Sequence, residues 1–264
     1  MNLASIIWDR LRMMNRLPGA FALYRHTIHW IYRDGTTVRM RRGPAAGLLW
    51  RHYRDYQPWM AMGVYEPQVA ELIASRLAPG DVFYDIGANA GYFSLIAARA
   101  VGEKGSVIAF DPHPRNCQTI REQWSLNNLE ERCEAVPVAV SDYSGKAQFV
   151  LTAINANCHL KNIEAPHVNE DAEAIDVDVV TLDAFVKSHP HPTLVKMDVE
   201  GAEVTALEGA RELLSGERPP NMLVSTHSDR LEQESRAILE NHGYRIEKVD
   251  RFDQMLVAIP KSEG

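Results

Sequence analysis

The sequence predicts a doubly wound α/β domain with a seven-stranded, mostly parallel sheet and an N-terminal helical and hairpin extension. From residue 82 onward, short β-branched runs alternate with amphipathic helical stretches, which is the pattern of a mostly parallel sheet covered on both faces. The chain has 264 residues, 45% of them hydrophobic and 24% charged, so it can bury one large core. We place the boundary after residue 60, with the extension over 1–60 and the main domain over 61–264.

The predicted strands are short runs rich in β-branched and aromatic residues that end at turn-forming residues. They cover residues 82–86, 106–110, 133–140, 193–197, 222–225, 244–249 and 255–259. One helix is predicted between Glu66-Pro67 and the stop at Pro79-Gly80, and others over 91–101, 114–127, 202–214 and 230–242. An insertion over 147–181 adds strand-like segments at 147–151 and 175–180 around a polar loop that we expect to cover a bound molecule; the loop contains Asn155, Asn157, His159 and Lys161.

The N-terminal extension is predicted to form one or two helices, and then a small hairpin that turns at Asp34-Gly35 between residues 31–32 and 38–40. Residues 1–60 hold ten Arg, no Lys and three Asp, a charge of about +7, which leaves about −14 for the rest of this −7 chain. Such a basic face is typical of contact with an acidic partner, an anionic substrate or a membrane surface. We favour the simpler interpretation of a solvated face. The acidic main domain argues against a broad nucleic-acid interface.

The composition also bears on the compartment. Charged residues or Pro interrupt every apolar run, so we predict no transmembrane helix, and Asp9, Arg10 and Arg12 interrupt the start where a secretory signal needs an apolar stretch. The three cysteines lack the spacing of a zinc or redox motif and are predicted to be reduced thiols. We therefore expect a cytoplasmic location.

A glycine-rich turn follows the first core strand. Residues 85–91 read Asp-Ile-Gly-Ala-Asn-Ala-Gly and lie between an apolar strand and a helix, where backbone N–H groups and a helix N-terminus are open to a ligand. A dinucleotide site usually has three glycines in the pattern G-x-G-x-x-G, and Asn89 occupies the position of the middle one. The turn therefore favours a nucleoside cofactor without a pyrophosphate. Asp85 is predicted to accept a hydrogen bond from an amino group of this cofactor, directly or through water, and the backbone near Gly87 and Gly91 is predicted to make room for it.

Two further acids lie at strand ends. Asp111 ends the second strand, about 20 residues after the glycine turn, where an acid can accept from both ribose hydroxyls of a nucleoside. Asp142 ends the third strand and is predicted to meet the amino group of an adenine, although a turn-forming role beside Gly145 explains it almost as well.

Candidate catalytic residues follow the fourth and fifth strands. Asp198 ends the fourth strand, next to the point where strand order should reverse, and Glu200 follows on the turn. His227 ends the fifth strand, where a neutral imidazole would serve as a general base near pH 7. We therefore assign Asp198, Glu200 and His227 as catalytic and expect no metal. The alternative is that Asp198, His227 and Asp229 hold a divalent cation.

Several motifs over residues 63–227 resemble those of the FkbM family of methyltransferases. They are Tyr65-Glu66-Pro67, Asp85-x-Gly-Ala-Asn-x-Gly91, Asp111-Pro112-x-Pro114-x-Asn116, Leu126-Asn127, Ala139-Val140-Ser141-Asp142, Thr181-Leu182-Asp183 and Lys196-Met197-Asp198-Val199-Glu200-Gly201-Ala202-Glu203, the last being the most specific. The chain departs from the family pattern at Asp111, where Glu is common, and at His113 after the proline.

The resemblance implies a class I methyltransferase fold with S-adenosylmethionine as the methyl donor. It also implies, in most members, a hydroxyl acceptor on a sugar or polyketide-like small molecule. Through the matching motifs it adds six residues to the predicted cofactor-binding set, namely Tyr65, Glu66, Ala88, Asn89, Asn116 and Asp198.

Two other functions stay open from the residues alone. A nicotinamide-dependent oxidoreductase is favoured by the glycine turn but opposed by Asn89. A non-catalytic nucleoside-binding module would use the basic extension as its partner surface. A nucleic-acid amino methyltransferase is disfavoured, because residues 198–201 read Asp-Val-Glu-Gly where an Asn-Pro-Pro-Tyr-like segment is expected. We expect a small-molecule acceptor, no nucleic acid, and at most peripheral membrane contact through the basic extension.

Overall fold

A central sheet with helices on both faces organises the protein. The computed structural model describes residues 32–151, 158–161, 173–247 and 255–261. Along the chain the elements are β1 (Thr37–Arg39), β2 (Leu49–Arg51), α1 (Pro58–Met62), α2 (Pro67–Arg76), β3 (Val82–Ile86), α3 (Tyr92–Ala100), β4 (Ser106–Phe110), α4 (Pro114–Ser125), β5 (Cys133–Val136), β6 (Val138–Val140), β7 (Gly145–Val150), β8 (His159–Leu160), β9 (Ala174–Val180), α5 (Leu182–Phe185), β10 (Leu194–Met197), α6 (Glu203–Glu208), α7 (Arg211–Ser215), β11 (Asn221–Ser225), α8 (Asp229–Asn241), β12 (Tyr244–Glu247) and β13 (Met255–Pro260).

The large sheet has seven strands in the order β12-β13-β11-β10-β3-β4-β5. Within it, β13 runs antiparallel to both neighbours, and the other six strands are parallel to one another. The chain moves from β3 to β4 and β5 on one side and then returns to β10 on the other side of β3. Strand order therefore reverses between β3 and β10, which is where open α/β sheets bind ligands. The predicted fold class is confirmed.

Alternating side chains of the sheet enter two separate cores. In β3, Phe83 packs in the cluster that contains residues of α2, α3 and α4, whereas Tyr84 and Ile86 pack in the cluster that contains residues of α6 and α8. Burial on both faces explains why these strands are apolar almost throughout. Asp85 shares the face of Phe83, so a carboxylate lies inside the α3 side of the sheet.

The prediction of a single strand over residues 133–140 is wrong, because this segment forms two strands. β5 ends at Val136 and β6 begins at Val138, because Pro137 has no N–H to donate to a continuous ladder. β5 belongs to the large sheet, whereas β6 belongs to a four-stranded sheet of order β6-β9-β7-β8. The predicted insertion strands form β7 and β9 of this second sheet and pair antiparallel. Its core consists of Ala139, Phe149, Cys158, Val177 and Val179.

The N-terminal hairpin pairs a different strand from the predicted one. A turn does form at Asp34-Gly35 and β1 follows it as predicted, but β1 pairs with β2 rather than with the segment before the turn, so that Thr37 lies opposite Arg51. The hairpin packs on α4 and on the turn that follows it. The amide of Gln123 in α4 exchanges two hydrogen bonds with the backbone of Arg51, and the amide of Asn127 after the helix exchanges two with the backbone of Leu49. The predicted helices of residues 1–31 lie outside the described residues. The boundary at residue 60 stays a prediction.

The helices agree with the predicted ones in place, with one correction. The segment predicted as one helix over 202–214 forms α6 and α7, which are separated at Gly209. A Cβ on Gly209 would lie 2.0 Å from the carbonyl oxygen of Ser141, so a glycine is needed for this close approach to the end of β6. The Ser228 side chain accepts the Leu231 N–H and begins α8. Across the described part of the chain, no helix combines the length and the apolar character needed to cross a membrane.

Candidate functional site

A cleft opens at the carboxyl ends of β3, β4 and β10, next to the point where strand order reverses. Its volume is about 870 Å³, open solvent included. The strand ends and the loops that follow them supply its polar lining, which consists of Asn89, Asp111, Asn116, Lys196, Asp198 and Glu200. The second sheet supplies part of an apolar wall through Val138, Val140, Phe149, Cys158 and Leu160.

The turn between β3 and α3 lets backbone approach the cleft closely. The N–H groups of Gly87 and Ala88 donate to the carbonyl oxygen of Phe110, at 2.9 and 3.0 Å. Gly87 has a φ of +76°, and a Cβ at this position would lie 1.8 Å from the carbonyl oxygen of Asp198. Only glycine allows the ends of β3 and β10 to meet in this way.

Asp111 is held at the centre of the cleft by three hydrogen bonds. Its Oδ2 accepts from the Asn89 N–H at 2.8 Å, and its Oδ1 accepts from the His113 N–H and the Asn116 amide at 2.9 and 3.0 Å. A carboxylate offers about four acceptor sites, so capacity for a ligand hydroxyl remains. Burial raises the pKa of Asp111 to about 7, although the three donors act to lower it.

A buried lysine joins two carboxylates at the floor of the cleft. Asp85 and Lys196 stand opposite each other in the pairing of β3 with β10, and both are almost fully buried. The Lys196 Nζ lies 3.7 Å from Asp85 Oδ1, 3.2 Å from Asp198 Oδ2 and 5.1 Å from the centroid of the Phe93 ring. Burial lowers the pKa of Lys196, but the charges of Asp198 and Asp85 outweigh it and raise the pKa above its usual value.

The remaining side of the floor carries an imidazole among three carboxylates. The His227 Nδ1 lies 2.7 Å from Oε1 of Glu203, and its Nε2 lies 3.5 Å from Asp198 Oδ1 and 3.5 Å from Glu200 Oε2. Burial lowers the pKa of His227, but the hydrogen bond to Glu203 and the neighbouring charges raise it to about 9. With no cation in the cluster the ring is therefore protonated near pH 7, which does not support a neutral imidazole base.

Left-handed backbone concentrates around the same cleft. Among the described residues other than glycine, four have a positive φ, and three of these, Glu66, Asn89 and Glu200, are at or beside the cleft. Such strain is retained mainly where it positions functional groups. Burial raises the pKa of Glu66 to about 7, and burial likewise raises the pKa of Glu200 to about 7. Both carboxyls thus stand in surroundings that favour an added positive charge.

The residues present fit S-adenosylmethionine, the cofactor that the resemblance implies. The Oδ1 of Asp85 is fully buried and has no hydrogen-bond partner among the described residues, while its Oδ2 accepts from Ser94. Because Asp85 lies beneath the cleft, a bridging water would carry a hydrogen bond from an amino-acid ammonium group to this oxygen. Asp111 suits ribose hydroxyls, and the apolar wall suits a flat base. The acids of the floor also complement a cofactor that carries both a sulfonium and an ammonium.

Most of the predicted site residues meet in one place. Tyr65, Gly87, Ala88, Asn89, Asp111, Asn116, Asp198 and Glu200 line the cleft. Asp85 lies beneath it, His227 contacts Asp198 and Glu200, and Glu66 interacts electrostatically with Asp198. Gly91 does not line it, because its missing side chain makes room for Ile120 of α4 instead.

Asp142 lies elsewhere, which does not support its predicted contact with adenine. It lines a separate groove with Tyr143, Lys146 and Lys161. β6 joins the second sheet after Pro137, and although its Val140 still lines the cleft, the turn that carries Asp142 from β6 to β7 lines the groove instead. In the predicted covering loop, His159 is instead buried in β8, while Asn155 and Asn157 lie outside the described residues.

Sequence reasoning missed three contributors. Lys196 could have been identified from the sequence, since a lysine inside an otherwise apolar central strand is unusual. Glu203 was not among the assigned site residues, yet it is fully buried and hydrogen-bonded to His227. The apolar wall of the second sheet, with Phe149 and Leu160, left no local signal because long-range pairing brings it to the cleft.

The chain is similar to known methyltransferases. The family model described as the methyltransferase FkbM domain matches residues 85–246. The hexuronic acid methyltransferase AglP of Haloferax volcanii is 28% identical over 153 residues, which cover 56% of this chain and 58% of that protein. Methyltransferase 1 of Beauveria bassiana is 28% identical over 148 residues, covering 50% and 59%. The match thus spans little more than half the length of these relatives. A precorrin-6y C5,15-methyltransferase structure from Geobacter metallireducens aligns with a TM-score of 0.46 and 14% identity, covering 74% of this chain and 89% of that one.

Proposed function

Since the chain belongs to the FkbM methyltransferase family and S-adenosylmethionine is its methyl donor, we propose that it methylates a hydroxyl oxygen of a sugar or secondary-metabolite-type small molecule. One observation carries this proposal: the cleft ends in the carboxylates of Asp198 and Glu200, which are hydrogen-bond acceptors suited to a hydroxyl donor. The relative from Haloferax volcanii is named as a hexuronic acid methyltransferase, which supports a sugar acceptor.

The residues of the cleft divide into a cofactor half and an acceptor half. Asp111 binds the ribose hydroxyls, Asp85 accepts from the ammonium group through a bridging water, and Tyr65 and the Gly87–Asn89 backbone enclose the amino-acid end. Lys196 keeps the pKa of Asp198 low by its charge, although burial acts in the opposite direction. In the acceptor half, Asp198 and Glu200 orient the hydroxyl.

S-adenosylmethionine supplies an electrophilic methyl group on a sulfonium. The chain contributes alignment of the acceptor oxygen, which is worth several orders of magnitude in rate for an in-line displacement. Glu200 lines the cleft and is the group that we assign to receive the hydroxyl proton, on its Oε1. General-base assistance of this kind contributes about 10²- to 10⁴-fold.

A methyl-transfer assay with an acceptor panel tests the proposal. Purified protein and tritiated S-adenosylmethionine are incubated with hexoses, hexuronic acids and phenolic or polyketide-like alcohols. Hexuronic acids offer both a hydroxyl and a carboxylate, so the label is then treated with mild base. Label that resists base is an ether and supports hydroxyl methylation. Label released by base is an ester and contradicts it.

The same assay addresses the other functions. A non-catalytic nucleoside-binding module would bind S-adenosylhomocysteine but label no acceptor in any class. The nicotinamide-dependent oxidoreductase is not supported, because the family match includes the glycine turn from Asp85 onward. The cytoplasmic location, the absence of a nucleic-acid substrate and the membrane contact of the basic extension stay predictions.

A further inference from the structure

We propose that Asp198, Glu200 and His227 form a binding site for one divalent cation of the Mg²⁺ or Mn²⁺ type. This replaces our sequence-based expectation of no metal, and it changes the ligand set of the alternative, with Glu200 in place of Asp229. The role of the cation rests on the proposed function, because it would lie where the acceptor hydroxyl is expected. Its binding is a separate claim that can be tested separately.

The spacing of the three side chains fits one ion. One ligand atom from each residue lies within 4.8 Å of the other two. The His227 Nε2 is 3.5 Å from both Asp198 Oδ1 and Glu200 Oε2. Metal–ligand bonds of about 2.1 Å in an octahedral site place neighbouring ligand atoms about 3 Å apart and opposite ones about 4.2 Å apart. Small side-chain adjustments would therefore bring all three to one cation.

His227 is held as a metal-ligating histidine is usually held. Its Nδ1 donates to Glu203 Oε1 at 2.7 Å, which directs Nε2 toward the two carboxylates. Glu203 is fully buried, and its Oε2 has no hydrogen-bond partner among the described residues. A buried carboxylate behind a histidine fixes the tautomer and the ring orientation for a metal on the other nitrogen. Without this role, the burial of Glu203 with an Oε2 that accepts no hydrogen bond would only cost folding free energy.

The cleft floor carries more negative charge than Lys196 and the cofactor together balance. Five carboxylates meet there, from Glu66, Asp85, Asp198, Glu200 and Glu203. Lys196 balances one of them, and a protonated His227 balances a second, although a cation on its Nε2 would take the place of that proton. S-adenosylmethionine adds one net positive charge, from a sulfonium and an ammonium against its own carboxylate. A divalent cation would remove most of the excess that remains.

Water can reach the three side chains, and each carboxylate has an oxygen available for a cation. The side chains of Asp198, Glu200 and His227 are 24%, 29% and 24% exposed, so water can complete the coordination. Lys196 bonds Asp198 through Oδ2, which leaves Oδ1 facing His227. Glu200 ligates through Oε2 and keeps Oε1 for the hydroxyl proton. Oxygen ligands with one imidazole favour Mg²⁺ or Mn²⁺ over a soft metal.

Titration with Mn²⁺, followed by the electron paramagnetic resonance signal of the free ion, tests the site. We expect one bound Mn²⁺ per wild-type chain, displaced by excess Mg²⁺. Glu200→Gln and His227→Gln should each weaken binding at least tenfold. Glu234→Gln on the exposed face of α8 makes the same chemical change away from the cluster and should leave it unaltered. Wild type that binds no Mn²⁺ at millimolar concentration, or Glu200→Gln and His227→Gln that both bind as wild type does, would overturn the proposal.

Two further measurements separate this claim from folding and from the cofactor site. Each variant is checked by thermal unfolding and by calorimetry with S-adenosylhomocysteine. Wild-type protein that binds S-adenosylhomocysteine normally but binds no Mn²⁺ would contradict the metal site alone. Wild-type protein that does not bind S-adenosylhomocysteine would contradict the cofactor site. If both variants fail to fold, wild-type protein with ¹³C-labelled histidine decides. Substoichiometric Mn²⁺ should broaden one histidine ring before the others, and uniform broadening would contradict the site.

Discussion

At the scale of single residues, the cleft shows how burial prepares side chains for a charged ligand. Asp111 is 5% exposed and is the acceptor of three hydrogen bonds, yet burial still raises its pKa to about 7. Asp85 is buried completely, and its Oδ1 faces the Lys196 charge but accepts no hydrogen bond among the described residues. Groups in this state gain when a ligand supplies the missing donor. The position of Asp111 at a strand end was predictable, whereas its three donors were not, because they depend on backbone geometry after folding.

The raised pKa of Asp111 predicts that cofactor affinity depends on pH. Only the ionised carboxylate accepts fully from ribose hydroxyls, so affinity for S-adenosylhomocysteine should fall as pH drops from 8 to 6 through about 7. Folding stability changes in the opposite sense. A carboxyl whose pKa is raised in the fold contributes stability that is present at low pH and is lost as pH rises through about 7. Calorimetry at several pH values measures the affinity. Asp111→Asn should flatten the dependence, and an equally steep dependence in that variant would assign it to Glu66 or Glu200, whose pKa values are also raised to about 7.

Gly87 is predicted to tolerate no side chain. Gly87→Ala would place a Cβ 1.8 Å from the carbonyl oxygen of Asp198, in a backbone conformation that already disfavours alanine. We expect a loss of unfolding free energy of about 3 kcal/mol or more, together with loss of S-adenosylhomocysteine binding. Gly80→Ala is the matched control, since Gly80 has a φ of +98° but open space around it. That variant should cost about 1–2 kcal/mol and keep binding. Equal costs in denaturant unfolding would show that the close approach is unimportant.

At the scale of elements, local signals identified most helices and strands but not their partners. β3 and β4 have the predicted bounds, because an apolar run between turn residues specifies a buried strand. Pro137 and Gly209 divide predicted elements, and both effects depend on tertiary position: the first on which sheet β6 joins, the second on contact with Ser141. β1 pairs with a strand ten residues further along the chain rather than with the segment before its turn. Pairing of this kind depends on packing against α4, which no local pattern reports.

The docking of the hairpin on α4 predicts a stability effect. Gln123 is fully buried, accepts from the N–H of Arg51 and donates to its carbonyl oxygen. Gln123→Leu would leave both backbone groups without these bonds and should lower the free energy of unfolding by about 2–4 kcal/mol. Gln118→Leu, on the exposed side of the same helix, should change it by less than about 0.5 kcal/mol. Denaturant titration measures both. A Gln123→Leu variant as stable as Gln118→Leu would show that water replaces the lost bonds.

At the scale of the whole molecule, sheet topology explains the position of the site. Strand order reverses between β3 and β10, and Asp85, Lys196 and Asp198 come together because those two strands are neighbours. β4 brings Asp111 to the same edge, and β11 brings His227. This arrangement could be predicted from the order of motifs along the chain, since parallel strands end at one edge. The wall made by the second sheet could not, because it depends on the departure of β6 from the large sheet.

The assignment of the cleft as the cofactor site is tested most directly by comparing two aspartates that both end predicted strands. Asp111 lines the cleft, whereas Asp142 lines a separate groove. S-adenosylhomocysteine is titrated into wild type, Asp111→Asn and Asp142→Asn by calorimetry, with thermal unfolding to verify the folds. We predict about a tenfold to hundredfold loss of affinity in Asp111→Asn, the scale of hydrogen bonds to a charged group, and wild-type affinity in Asp142→Asn. Unchanged affinity in a folded Asp111→Asn variant, or an equal loss in Asp142→Asn, would contradict the assignment of the cleft as the cofactor site.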